Sequence, residues 1–369
     1  MKGRKNKIVL FLVSVVIGGS LGVFLGFLSD VFQMESTLDR GVVSVILLLL
    51  GMGISIPLHI ILHELGHLIL GKISGFDFIS YRVGSFHFQK EEGKLVRKKI
   101  SIPGTGGQCI MNPPADWERP HYLLYLIGGG LFNLITAFVF LLITFLLKEG
   151  RGWEFFLGAA ITGIFLGISN LMPLTLSGVP TDGKNVQQIL KDPLAKRALW
   201  LQLKLAAELS MGKSWEDLPE EYFYDFGERF GSKDLYRDAG VMSVSYWLAK
   251  DQVFRGEKIL INLRNFKGRY QGVGLVNYYL AELELLAYKE DWENFGILYK
   301  EVRPTLKLIS SLEDGIYMRY LYRKYVLKNE EKAEKSWNLL LEKEKTTPYS
   351  GLIESIIKKE EIRRKSSIH

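Results

Sequence analysis

Four long apolar runs limit what this chain can fold into more than anything else in it. Residues 8–28 (IVLFLVSVVIGGSLGVFLGFL) carry no charge; residues 41–71 are broken only by Pro57, His59, His63, Glu64 and His67; residues 122–147 and 153–176 make the third and fourth runs. About 20 apolar residues in a helix cross the roughly 30 Å of a bilayer's hydrocarbon. Helices satisfy their own backbone hydrogen bonds, which a membrane interior demands. The expected fold is therefore mainly α: a polytopic membrane protein with about four transmembrane helices. A small β-hairpin insertion and a C-terminal cytosolic domain of repeat-like helical hairpins complete it.

Lys2, Arg4, Lys5 and Lys7 precede the first run, and no small-residue cleavage site follows it, so 1–40 reads as an uncleaved signal-anchor helix and an outer loop. Basic residues crowd cytoplasmic loops. Segment 72–121 holds eight of them, whereas the opposite loops hold Arg40 in one and Lys148 and Arg151 in the other. Both termini are expected in the cytosol, and the expected location is a bacterial cell membrane crossed several times.

A formal charge of +7 raises the question of nucleic acid. Residues 184–369 contain 32 Lys plus Arg against 28 Asp plus Glu, and residues 1–183 contain 15 against 12. Neither half is strongly basic and no nucleic-acid-binding motif stands out, so no nucleic-acid partner is expected. The single cysteine, Cys109, excludes an internal disulfide and a cysteine-based zinc cluster.

Between the second and third runs, Phe76, Phe78, Tyr81, Val83, Phe86 and Phe88 roughly alternate, and Glu91-Glu92-Gly93-Lys94 supplies a turn before 95–102, which predicts a β-hairpin. Gly104, Gly106, Gly107, Pro113 and Pro114 mark an irregular loop after it. Hairpin and loop, 76–120, lie inside a core expected over 41–185. From 186 to 369 the periodicity turns helical, with helices predicted near 193–211, 236–250, 252–264, 274–289, 292–302, 314–327, 330–344 and 349–364. Superposing Leu248-Ala249-Lys250-Asp251, Leu286-Ala287-Tyr288-Lys289 and Val326-Leu327-Lys328-Asn329 gives offsets of 38 and 40 residues, which suit stacked helix hairpins. Such arrays expose surfaces for peptides or proteins, so a cytosolic protein partner is expected at 186–369.

His63-Glu64-Leu65-Gly66-His67 stands within the second run. On a helix, two histidines four residues apart share a face and can bind one zinc ion, with Glu64 beside the metal as general base. An ornamental reading is costly, because ionisable groups inside a membrane helix cost roughly 2.5–3.5 kcal/mol each. A catalytic zinc takes three protein ligands. Asp182 is the candidate third, because the fourth run returns to the cytosolic side just before Thr181-Asp182-Gly183, and His67 lies near that side.

His63-Glu64-Leu65-Gly66-His67 in one span, Gly128-Gly129-Gly130-Leu131-Phe132-Asn133 in the next, and Asn170-Leu171-Met172-Pro173 followed by Asp182-Gly183 together resemble the site-2 protease family over roughly residues 41–185. The resemblance implies an intramembrane zinc metalloprotease with a three-helix catalytic core, Zn2+ as cofactor, and a membrane protein or membrane-associated peptide as substrate in the bilayer. It also implies that Asn133 and Asn170 handle substrate; interhelical hydrogen bonding is the plainer role for both. The chain departs from the family by inserting residues 174–181 between Asn-x-x-Pro and Asp-Gly. The three glycines are expected to allow close helix contact.

His59, one turn before His63, would strain a tetrahedral site if it served as a third ligand from the same helix. His87 and His121 are expected to be structural, and Cys109 to be a small turn residue rather than an inhibitory thiolate. The rival functions are a non-catalytic membrane scaffold, which retention of Glu64 argues against, and metal transport, which would need more intramembrane ligands.

Overall fold

The computed structural model describes residues 38–91, 93–100, 102, 105–147 and 152–366. The expected signal anchor at 8–28 lies outside them. Among the described residues three helices are long and apolar enough to cross a membrane: α1 (Leu38–Ile73), α2 (Tyr122–Leu147) and α3 (Trp153–Leu171). Large apolar side chains point outward on each, as at Ile54 (61% exposed), Phe138 (60%) and Phe165 (69%), the pattern of helices solvated by lipid rather than water. α3 ends at Leu171, short of the expected 176. Pro173 has no N–H to extend the ladder and restricts Met172 before it.

The described residues fall into two compact units. The first takes the chain to Ile56 together with Ala137–Thr162. Here the backbones of α1 and α3 touch: a Cβ on Gly158 would sit 2.1 Å from the Leu48 carbonyl oxygen. Ser44 donates to Glu154 at 2.6 Å, which pairs the one acidic group of α3 within this unit. Small residues that let helices close, plus a few polar contacts, are how apolar helices associate where no hydrophobic drive exists between them.

The second unit takes Pro57–Thr136 and Gly163–His369. It contains an antiparallel sheet of β1 (Asp77–Val83), β2 (Phe86–Glu91), β3 (Lys94–Lys99) and β4 (Gly107–Asn112), in the order β3-β2-β1-β4. Two sequence expectations change here. The alternating stretch from Phe76 to Phe88 is two strands, because Gly84, at φ 56°, turns the chain between them and sets Tyr81 opposite Phe88. The supposed loop contains β4, which pairs with β1 through Arg82 opposite Gln108 and is an outer strand. The turn before β3 is where the sequence puts it, with Gly93 at φ 80°.

The remaining helices are α4 (Asp182–Lys191), α5 (Ala195–Ser210), α6 (Asp234–Ala249), α7 (Val253–Arg264), α8 (Gly272–Tyr288), α9 (Trp292–Leu306), α10 (Glu313–Leu321, continued by a π turn, Tyr322–Val326), α11 (Glu330–Lys343) and α12 (Ser350–Ser366). All but α4 match predicted segments within a few residues. Three successive pairs, α6–α7, α8–α9 and α10–α11, pack as hairpins. The repeat shows in the backbone: Asp251 (φ 61°), Glu290 (56°) and Lys328 (51°), each between the helices of a pair, all enter the left-handed region. Those positions stand 39 and 38 residues apart, so the sequence superposition, with offsets of 38 and 40, is one residue out of register at its second and third members.

One buried core runs from Phe76, Met111, Tyr122 and Tyr125 through Trp200 and Tyr236 to Ile356. The expected boundary at 186 crosses that core. Trp200 donates from Nε1 to the Pro114 carbonyl at 2.8 Å, Lys204 reaches Asn112 Oδ1 at 2.9 Å, and Gln89 donates to the Ser210 carbonyl at 2.7 Å. Trp200→Ala should thus cost roughly 3–5 kcal/mol, the range for emptying a buried tryptophan site. Chemical denaturation in detergent measures it; a loss below about 1 kcal/mol would mean that the array and the sheet do not stabilise one another.

Candidate metal centre

α1 presents His63 and His67 from consecutive turns, as a four-residue spacing requires. α2 lies against that face at backbone distance: a Cβ on Gly66 would sit 2.2 Å from the Gly128 carbonyl oxygen, and one on Gly128 2.6 Å from the Gly66 carbonyl oxygen. Close approach brings Gly129 over the two imidazoles. A Cβ there would fall 2.4 Å from His63 Cε1 and 2.5 Å from the Nε2 atoms of both histidines. The space a methyl group would fill is the space between the ligand atoms.

His63 Nε2 and His67 Nε2 are 3.3 Å apart, and Asp182 Oδ2 lies 3.2 Å from His67 Nε2 and 4.0 Å from His63 Nε2. Donor atoms about 2.0–2.1 Å from a tetrahedral zinc are separated by roughly 3.3 Å, so the two edges that meet at His67 match such a site, while the His63–Asp182 edge, at 4.0 Å, is longer. Its protonation also points inward. The Tyr125 carbonyl, 2.9 Å from His67 Nδ1, can only accept, so the Nδ1 proton is directed to it and Nε2 faces His63 and Asp182. On the far side of His63, the Asn133 amide is 3.1 Å from Nδ1. When Nε2 ligates, Nδ1–H must donate, and the matching amide orientation turns Asn133 Oδ1 to it. Three electron-rich atoms then converge with no proton of their own, a set that suits a divalent cation.

Asp182 arrives by a device the sequence did not reveal. The eight inserted residues, 174–181, form a hairpin of β5 (Thr175–Leu176) and β6 (Val179–Pro180), with Ser177 (φ 50°) and Gly178 (φ 84°) as its two-residue turn. Its ends meet: Thr181 N–H donates to the Leu174 carbonyl at 3.0 Å, and Thr181 Oγ1 donates to the Met172 carbonyl at 2.6 Å. The insertion therefore adds length without adding reach, and Asp182 opens α4 beside the end of α3. Thr181 caps α4 by accepting from Lys184 N–H. Asn170 donates from Nδ2 to Asp182 Oδ2 at 2.5 Å, which aims the carboxylate.

Glu64 follows His63 on α1 and faces β4. A Cβ on Gly107 would lie 2.6 Å from Glu64 Oε1, and the Cys109 backbone N–H bonds the carboxylate. Arg82, 1% exposed, holds the neighbouring loop through Thr105 Oγ1 at 2.5 Å and the Gly84 carbonyl at 2.9 Å. Tyr81 anchors β1 to α1 by donating to the Ile61 carbonyl at 2.6 Å. A pocket of about 320 Å3 opens over His63 and Glu64, walled by Gly107, Asn133, Asn170 and Leu176.

Each sequence-selected residue has a place. His63, His67 and Asp182 come together, and among the described residues they are the group of three able to hold a metal ion. Asn133 and Asn170 both touch ligands. His59 lines the pocket outside the trio, and His87 bonds Gln89 within the sheet at 3.2 Å. Cys109 sits in β4 rather than in a turn, and burial, aided by the Glu64 charge, pushes its thiol well above the usual range and disfavours a thiolate. The Thr181 cap and the Tyr125 carbonyl escaped the sequence reading, and Gly129, expected there only to allow helix contact, also clears the space between the two imidazoles.

Comparison with family models, with curated proteins and with solved structures finds no match.

Purified protein should carry one divalent metal ion per chain by elemental analysis. Gly129→Ala should abolish binding while leaving the helix content unchanged, and Asn133→Ala should weaken it by about 10–100-fold as an outer-shell change. Full metal loading of Gly129→Ala would contradict the cradle.

Proposed function

We propose that this protein is an intramembrane zinc metalloprotease of the site-2 protease type, hydrolysing peptide bonds of membrane-embedded or membrane-proximal substrates. The observation that carries the reading is the convergence of His63, His67 and Asp182 beside Glu64 at the foot of an apolar helix. The donor set of two imidazoles and one carboxylate suits zinc, which when bound supplies a Lewis acid and lowers the pKa of water toward 7.

The chain's own residues supply the rest. Glu64 is placed to take a proton from the attacking water and return it to the leaving amine. The Cys109 N–H and Gly107 keep its carboxylate turned to the pocket. With its amide turned so that Oδ1 accepts from His63 Nδ1–H, Asn133 would have its NH2 left to donate to a substrate carbonyl, while Asn170 donates to Asp182. A transmembrane helix satisfies its own backbone, so a substrate must be unwound before attack. β4 pairs with β1 on one side only, and its other edge, where Cys109 N–H points to Glu64, suits an unwound substrate as an added strand. In this reading both termini are cytosolic in a bacterial cell membrane, and the helical array selects substrate or binds a partner.

Glu64→Gln should keep its metal and lose about 10²–10⁴-fold in cleavage of a membrane peptide, the usual share of a general base. Comparative membrane proteomics of wild type and variant should show uncut substrate accumulating. A variant with wild-type cleavage would refute the mechanism, and a wild type with metal but no cleavage of any membrane peptide would favour the scaffold reading.

A further inference from the structure

The helical array holds a pocket of about 470 Å3 that the metal centre does not use. That volume is in the range of small-ligand and peptide side-chain sites. Its apolar wall comes from α6, α8 and α12, with Val241, Met242, Leu280, Leu352 and Ile356. Its polar wall is unbalanced: Asp238, Glu284, Glu313 and Asp314 face Arg237 and Lys359.

The two cations are already engaged. Arg237 bonds Asp234 at 2.7 Å and Asp238 at 2.8 Å, and donates to the Gly178 carbonyl at 3.2 Å. Lys359 bonds Glu284, whose other oxygen accepts from Ser245 at 2.6 Å. Glu313 and Asp314, in the first turn of α10, are left over. Glu313 is only 9% exposed and lines the pocket, and neither carboxylate has a side-chain hydrogen bond or ion pair among the described residues. The helix N-terminus eases two carboxylates without neutralising them. Burial, then the neighbouring Glu313 and Glu284, push the Asp314 carboxyl up to about 7. A buried, unpaired Glu313 carboxylate beside the half-buried Asp314 is expensive to keep, and the pair marks a place where a cation is expected.

We propose that this pocket binds a lysine or arginine side chain of a peptide segment, with the charged end at Glu313 and Asp314 and the methylene stem along Val241, Leu280 and Ile356. The aliphatic wall favours a cation on an apolar stem, because such side chains bury the stem while their head group bonds acids. A second hollow, of about 660 Å3, shares Glu284, Tyr317, Met318 and Lys359 with the first and is also acid-rich, through Glu216, Asp251, Glu290 and Glu361 against Lys358, Lys359 and Arg363. Two adjoining acidic hollows suit an elongated basic peptide better than a compact ion. Gly178, Val179 and Pro180 form part of the first pocket's wall, so the occupant would lie against the hairpin that ends at Asp182.

The test uses full-length protein in detergent and three labelled, end-blocked tetrapeptides: Leu-Lys-Lys-Leu, Leu-Gln-Gln-Leu and Leu-Glu-Glu-Leu. Fluorescence anisotropy should show saturable binding of the lysine peptide, at least tenfold weaker binding of the other two, and a loss of at least tenfold for the lysine peptide in the Glu313→Gln, Asp314→Asn double variant. Glu313→Gln alone, the fallback should the double variant misfold, should weaken the lysine peptide several-fold and raise the melting temperature, since it removes an unpaired charge. Equal binding of the three peptides, no saturable binding, undiminished binding by a folded variant, or a fall in melting temperature for Glu313→Gln would each overturn the proposal. Displacement of the peptide by spermidine at equal or lower concentration would overturn the peptide assignment in favour of a free polyamine. None of these readouts involves the metal centre, so failure here and failure of the proteolytic reading are separable.

Discussion

Two imidazole nitrogens and a carboxylate oxygen within 4.8 Å of one another cannot rest together in apolar surroundings without positive charge among them. That electrostatic constraint organises the site. Each ligand atom is turned inward by a partner behind or beside it: the Tyr125 carbonyl for His67, the Asn133 amide for His63, Asn170 for Asp182. The helices must also come close enough to enclose a metal ion, which Gly66, Gly128 and Gly129 permit. Gly66 and Gly128 make the backbone contact, and Gly129 keeps open the space between the two imidazoles.

The sequence disclosed the parts of this site that follow a period. His63, Glu64 and His67 are legible because a helix brings every fourth residue to one face, and the long apolar runs leave no doubt about the helix. Asp182 was legible as a residue type at the right depth, but the eight-residue insertion before it made its approach obscure. The hairpin at Ser177 and Gly178 resolves this, and a Ser-Gly pair between short strands was its one weak signal. β4 was missed because glycines and prolines flank only six residues of strand, and strand pairing depends on β1, a partner distant in sequence. The division of 76–88 into two strands was missed although the alternation changes phase there: Val83 to Phe86 is a step of three rather than two, and it spans the turn at Gly84.

The helical half was predicted nearly element by element, because amphipathic helices carry their own pattern. Its relation to the sheet was not, since contacts such as Trp200 to Pro114 and Gln108 to Tyr349, the latter at 2.8 Å, join residues far apart in the chain. Gln108 precedes the residue whose N–H bonds Glu64, so Tyr349, just before the array's last helix, and the proposed catalytic base bond neighbouring residues of β4. A boundary drawn from composition at residue 186 thus separates what packing unites.

X-ray absorption at the zinc edge on the purified full-length protein tests the central claim most directly. The account predicts a first shell of nitrogen and oxygen near about 2.0–2.1 Å, with imidazole outer-shell scattering from two histidines that falls by half in His63→Ala. A sulfur neighbour near about 2.3 Å, which only Cys109 or a methionine could supply, or an unchanged spectrum in His63→Ala, would contradict it.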